Sequence, residues 1–202
     1  FNLWLAEAHL FLAHLGVPYH QLMATWQHGN IPNNAAIAAA YFEIYSNEAK
    51  WILNVDGIGH SPSLIFVYSN DEMKVNSFLD QTKTTYNQLI ELLQLEWLNP
   101  TDQLTVIERP VNSCAIDDQI LKNHLTATKL DRIHRFLRLS KHTDWKMWEL
   151  DLLIRNPKIG NGVLDGNCLV KLQKFHQLQE QFKLSVEELI PFYENLDITN
   201  RR

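Results

Sequence analysis

The sequence predicts an all-α protein, an irregular array of stacked helix hairpins carrying at most one small β-hairpin. Three observations lead there. One local pattern that starts a capped helix occurs four times. A longer amphipathic stretch precedes each copy. Glycine and proline number only seven each in 202 residues, too few for a loop-rich β-sandwich.

The recurring pattern is an apolar or neutral residue, a cap-like residue, two variable positions, Glu or Gln, then Leu. It occurs at Val17–Leu22, Thr84–Leu89, Trp145–Leu150 and Leu184–Leu189. Thr85 with Gln88 and Ser185 with Glu188 have capping-box spacing. In such a box the hydroxyl accepts an orphan N–H, and the N3 side chain reaches back to the cap N–H. In the first copy Pro18 stands where a helix begins without losing a hydrogen bond. The third copy departs, with Lys146 at the cap position.

The long helices come from apolar residues at helical spacing: Leu5, Ala8, Leu12 and Leu15; Leu130, Ile133 and Leu137; Leu169, Leu172, Phe175 and Phe182. Phe78 and Leu79 mark a weaker case. Shorter apolar helices follow at Leu89–Leu93, Leu150–Ile154 and Leu189–Tyr193. A hairpin of this kind has an apolar face that it buries by stacking on neighbours, as in helical solenoids. The spacing between copies is irregular, so the expected unit is a loose array forming one module over residues 1–202.

Two regions break the helical pattern. Leu104–Glu108 follows the turn cluster Asn99–Asp102 and reads as a short strand. Its partner is expected within Cys114–Leu121, with Pro110 and Asn112 in the connection. Ser63–Tyr68 fits strand or helix equally. Loops are expected at Asn54–Ser61, with Pro62 beyond, and at Asn156–Gly162, continuing through Asp165–Asn167.

Composition narrows the function classes. Net charge is −5 and no run of Lys or Arg occurs, so a nucleic-acid partner is not expected. Apolar stretches are far shorter than a bilayer span, so no membrane contact is expected of this segment. Nine histidines (His9, His14, His20, His28, His60, His124, His134, His142 and His176) lie outside any metalloprotease spacing. Cys114 and Cys168 lack a neighbouring cysteine, and two small apolar thiols are the simplest reading, although a fold that brought them together would let them pair. No nucleophile elbow, P-loop or dinucleotide fingerprint occurs. The expectation is therefore no catalytic residue, no cofactor and no metal. Arg132, Arg135 and Arg138 form a basic row that reads either as an anion face or as solvated cations, with Asp131 pairing to Arg135 at i,i+4. Trp145 and Trp148 read as a helix–helix seam or, less simply, as a carbohydrate platform. The chain opens on Phe1-Asn2-Leu3-Trp4 and trails off at Asp197–Asn200, which suggests a piece of a longer polypeptide.

The run Leu130-Asp131-Arg132-Ile133-His134-Arg135-Phe136-Leu137-Arg138-Leu139, followed by Thr143–Asp151, resembles a signature of the A subunit of bacterial insecticidal toxin complexes (Tc toxins), in the virulence plasmid A protein-like part of its helical shell. The likeness continues in order through Leu15-Gly16-Val17-Pro18, Phe78–Leu93, Leu98-Asn99-Pro100, Cys114 with Ile116-Asp117, and Leu184–Leu189. Ser140 departs, standing where that family often carries Trp, and Lys146 replaces a cap-type residue. The resemblance implies a secreted or cell-surface virulence protein that assembles as a pentamer. In it an outer α-helical shell surrounds a pore-forming channel, and B and C subunits deliver the toxic enzyme. It implies that this segment belongs to the shell, without catalytic residues, and with a surface open to a host-cell receptor or glycan. Two other readings remain: a stand-alone helical adaptor that binds a protein partner, and an enzyme with a dispersed site.

Overall fold

The computed structural model describes residues 3–54, 66, 72–101, 103–109 and 115–193. The chain is mostly helical, with ten α-helices and one small antiparallel sheet among the described residues. Packing divides it into two compact units, one formed by residues 1–53 and 153–202, the other by residues 54–152.

The first unit begins with α1 (Leu3–His14), α2 (Tyr19–Thr25), α3 (Asn34–Tyr41) and α4 (Ser46–Leu53), each packed on the next. Asn33 caps α3, its side chain accepting from the Ala36 N–H at 2.8 Å. The later helices of this unit are α9 (Gly166–Phe182) and α10 (Val186–Leu189), with a 3-10 turn at Ile190–Tyr193. Helix α9 lies against α3. That contact is close because it is made by small residues. A Cβ on Gly166 would stand 2.9 Å from the Ala35 Cβ, and Ala38 and Ala39 are buried.

The second unit holds β1 (Met73–Lys74), α5 (Val75–Thr82), α6 (Tyr86–Gln94), β2 (Thr105–Glu108), a 3-10 turn (Ile116–Asp118), β3 (Gln119–Lys122) and α7 (Ala127–Ser140). The sheet order is β1-β3-β2, antiparallel throughout, with Met73 opposite Leu121 and Val106 opposite Leu121 on the other side. The division between the units falls within α8 (Met147–Arg155). Phe66, Phe78, Leu89, Leu92, Leu121, Leu130 and Phe136 are among the largest fully buried side chains here, with Phe66 stacked on Phe78.

The expected strand at Leu104–Glu108 is β2, and its partner β3 lies at the far end of the range anticipated for it. A third strand, β1, joins the other side of β3, so the expected two-stranded hairpin is part of a three-stranded sheet. Two residues that run directly into α5 carry too little alternation to read as a strand. Cys114, Pro110, Asn112 and the Asn54–Tyr68 segment, apart from Asn54 and Phe66, lie outside the described residues.

Both capping boxes form. The Gln88 N–H donates to Thr85 Oγ1 at 3.3 Å and the Thr85 N–H donates to Gln88 Oε1 at 2.8 Å. Ser185 and Glu188 repeat the exchange at 3.3 and 2.8 Å. At the third copy half of the box survives: Lys146 has no capping oxygen, but its N–H donates to Glu149 Oε2 at 2.7 Å.

The turns that precede these caps share a conformation. A left-handed residue ends the first helix, one residue follows, and the cap comes next: Gly16-Val17-Pro18, Lys83-Thr84-Thr85 and Lys183-Leu184-Ser185. Glu43-Ile44-Tyr45, between α3 and α4, follows the same scheme. Glycine occupies the left-handed position only once. For other L-residues that conformation costs about 1–2 kcal/mol. Lys83→Gly and Lys183→Gly are therefore each expected to stabilise the protein by about 0.5–1 kcal/mol, after the larger chain entropy of glycine is subtracted. Urea midpoints of the two variants measure this, and a loss of stability would show that the turns differ in solution.

Candidate functional site

The run that carries the resemblance forms α7. Thr126 caps it, accepting from the Lys129 N–H at 3.2 Å. Leu130, Ile133, Phe136, Leu137 and Leu139 are buried. Phe136 and Leu139 extend the apolar face beyond the three residues that spacing alone identified.

Each arginine of the row is engaged within the fold. Arg132 lies over the Trp97 ring at 5.8 Å and donates to the Trp97 carbonyl at 3.4 Å. Arg135 pairs with Asp131 at 3.7 Å, as the i,i+4 spacing predicts. Arg138 Nε donates to His134 Nε2 at 2.8 Å. All three stay half-buried. Lys129, beside them, donates to Asn99 Oδ1 at 3.2 Å, and burial, with Arg132 close by, pushes its ammonium below the usual range. The buried Asp151 accepts from the Trp97 N–H at 2.9 Å, which ties the Trp97 loop to α8.

Trp145 is buried but Trp148 is 37% exposed, with Lys146 Nζ 6.0 Å from its ring centre. The expected pairing of the two in one seam is therefore corrected. Trp145 belongs to the turn before α8, so the two residues do not share a helix. Within α8 the buried face is Leu150, Leu153 and Ile154, and Trp148 points about 200° away from Leu150.

The other polar concentration is in the first unit, where α2, α3 and α9 meet. Tyr41 Oη lies 2.6 Å from His176 Nδ1 and donates to Glu180 Oε2 at 3.2 Å. The His20 ring meets Tyr41 edge-on at 4.9 Å. Burial, reinforced by Glu180, pushes the Tyr41 phenol well above its ordinary value. The phenol is therefore neutral across the physiological range, a hydrogen-bond donor and not a base. Burial lowers His20. The folded protein binds that proton less readily than the unfolded chain does. The contribution of His20 is thus intact above its ordinary value of 6.5 and is lost as pH falls. His20→Gln is expected to flatten the decline of the urea midpoint between about pH 7.5 and 5, near the ordinary imidazole pKa. An unchanged decline would assign it to other groups.

Glu72, beside β1, pairs with Arg109 at 3.2 Å and with Lys122, and the Lys122 hydrogen bond holds its carboxyl below the usual value. This is a partly exposed structural cluster. No three His, Cys, Asp or Glu side chains gather at a metal-binding distance among the described residues. Cys168 is buried in α9. No helix among the described residues is long and apolar enough to cross a membrane.

Two open clefts lie in the second unit. One, of about 360 Å3, runs between the turn after α5 and the turn after α7, with the exposed Lys83, Lys141 and Lys146 around its rim. The other, of about 370 Å3, lies between α6 and β2, with Tyr86, Ile90 and Leu93 on the helix side and Val106 on the strand side. Trp145 lines the first, without Trp148, and none of the residues lining the second was singled out for chemistry in the sequence. No family model, curated protein or solved structure matches this chain.

Proposed function

We propose that the chain is a section of the outer helical shell of a Tc toxin A subunit, a structural segment of a pore-forming, toxin-translocating protein. The observation that carries this reading is the state of α7. The run that resembles the family signature has its apolar side chains in the core and its arginines tied to neighbours, as scaffold sequence requires. The recurring left-handed turn and cap support an array of stacked hairpins. Helix α1 leaves Trp4 81% exposed and Leu10 and Phe11 largely so, an apolar surface of the kind that neighbouring shell helices cover.

In this reading the segment has no catalytic residue, cofactor or metal. Its full-length protein is secreted or displayed on the bacterial surface, self-associates as a pentamer and engages B and C subunits through other regions. A host receptor or glycan meets the exterior of the shell. The test is the reading frame that encodes residues 1–202 and the assembly state of its product. A very long frame whose purified product forms pentamers in electron micrographs is the expected result. A frame that ends near Arg202, with a monomeric product, overturns the proposal in favour of a stand-alone helical adaptor.

A further inference from the structure

Strand β2 is the edge of its sheet, and among the described residues no strand pairs with its other side. Thr105, Val106, Ile107 and Glu108 stand opposite Lys122, Leu121, Ile120 and Gln119. One residue further on, the Arg109 N–H donates to the Asp118 carbonyl at 2.8 Å. Antiparallel pairs alternate between hydrogen-bonded and non-hydrogen-bonded. Arg109 faces β3, and so therefore do Ile107 and Thr105. Val106 turns its N–H and C=O outward, and Leu104, two residues before it, does the same.

At Leu104 the outward edge is already paired. The Asn99 side-chain amide accepts from the Leu104 N–H at 3.0 Å and donates to the Leu104 carbonyl at 3.1 Å. A primary amide has the same donor and acceptor as a peptide group. Asn99 thus supplies one rung of an added strand, and the next rung along the edge is Val106. Beside that rung lies the cleft of about 370 Å3, with Tyr86, Ile90 and Leu93 of α6 across from Val106. Gln119 also lines it, and the buried Gln119 Oε1 has no hydrogen-bond partner among the described residues.

We propose that this cleft binds an extended peptide segment of a partner protein by strand addition to β2. The peptide backbone pairs with the Val106 N–H and C=O, and an apolar side chain seats on Ile90 and Leu93. Main-chain pairing supplies affinity and the alternate side chains supply specificity. The charged residue in the cleft lining is Glu108, so the segment is neutral or basic. A second copy of this chain is a poorer occupant. Its own β2 is flanked by its own α6, and edge-to-edge pairing would bring like Glu108 carboxylates together. The proposal stands apart from the shell reading and does not depend on it.

The test titrates the 202-residue chain with labelled synthetic peptides in which Val or Ile alternates with Lys or Thr, and with analogues carrying Glu in place of Lys. The basic series is expected to bind and to shift the Val106 amide resonance, and the acidic series to bind more weakly. N-methylation of successive peptide amides should weaken binding about tenfold, or about 1.4 kcal/mol, at alternate positions only. Val106→Pro should weaken it at least as much while leaving the circular dichroism unchanged, since an edge strand tolerates proline where its N–H points outward. The N-methyl series uses the unaltered protein and decides the matter even where the proline variant unfolds. Absence of binding by every peptide overturns the proposal, as does binding indifferent to N-methylation. A concentration-dependent dimer abolished by Val106→Pro overturns it in favour of a second copy.

Discussion

The Phe136→Ala variant is expected to lose about 3–5 kcal/mol of stability, the range for removing a fully buried aromatic ring. Phe136 has no exposed surface, and its ring packs 6.2 Å from that of Trp97. Leu137→Ala on the same helix should cost about 2–5 kcal/mol, toward the lower end because Leu137 retains a little exposure. Arg138→Ala should cost only about 0.5–1.5 kcal/mol. It removes the hydrogen bond to His134 from a half-buried side chain. Urea unfolding of the three variants checks the order. If Arg138→Ala proved the most destabilising, the arginine row would be a buried polar network, and the assignment of α7 as scaffold would fail. So would the main support for the shell reading.

What the sequence revealed and what it concealed follow from the kind of packing involved. Helix α7 was readable because its core face is made of Leu, Ile and Phe at helical spacing. The caps at Thr85 and Ser185 were readable because a capping box needs particular side chains three residues apart. Helix α3 was not anticipated. Its sequence, Asn34-Ala35-Ala36-Ile37-Ala38-Ala39-Ala40-Tyr41, has little periodic contrast, since alanine is buried there for its small size, near Gly166 of α9. The left-handed turns are not legible because Glu43, Lys83 and Lys183 occupy positions that glycine usually marks. Phe182 matches Phe175 in spacing, yet it is 57% exposed because it falls in the solvent-facing last turn of α9. Leu15, counted on the apolar face of the first helix, is likewise exposed. The cleft beside β2 was invisible for a different reason. It depends on which way the Val106 amide points, and that is fixed by pairing with β3 and not by side-chain type.

Gly160→Ala is the substitution with the largest effect expected outside the core. After α8 the chain folds back over the end of the helix. The Gly160 N–H donates to the Leu153 carbonyl at 3.3 Å and the Gly162 N–H to the Ile154 carbonyl at 2.9 Å, satisfying two acceptors that a helix C-terminus leaves open. Asn156 fixes the start of the loop. Its carbonyl accepts from Ile159 and Asn161, and its side chain accepts from the Lys158 N–H at 2.9 Å. This path brings Gly160 against the helix backbone. A Cβ there would stand 2.2 Å from the Ile154 carbonyl oxygen and 2.7 Å from the Ile154 Cα. These are main-chain atoms, so no side-chain rotation relieves the overlap. Relief requires the loop to lift, which breaks both capping bonds and exposes the buried Ile159. The expected loss is about 3 kcal/mol, the upper end for an overpacked site. Gly162→Ala separates the steric cause from the conformational one. Gly162 has a φ of +74° but nothing within 4 Å of an added Cβ, so its cost is that of left-handed strain alone, about 1–2 kcal/mol. Thermal and urea unfolding of both variants should place Gly160→Ala clearly below Gly162→Ala. Equal losses would mean that the loop yields without breaking its bonds to α8, and that the close approach at Ile154 is not what fixes its path.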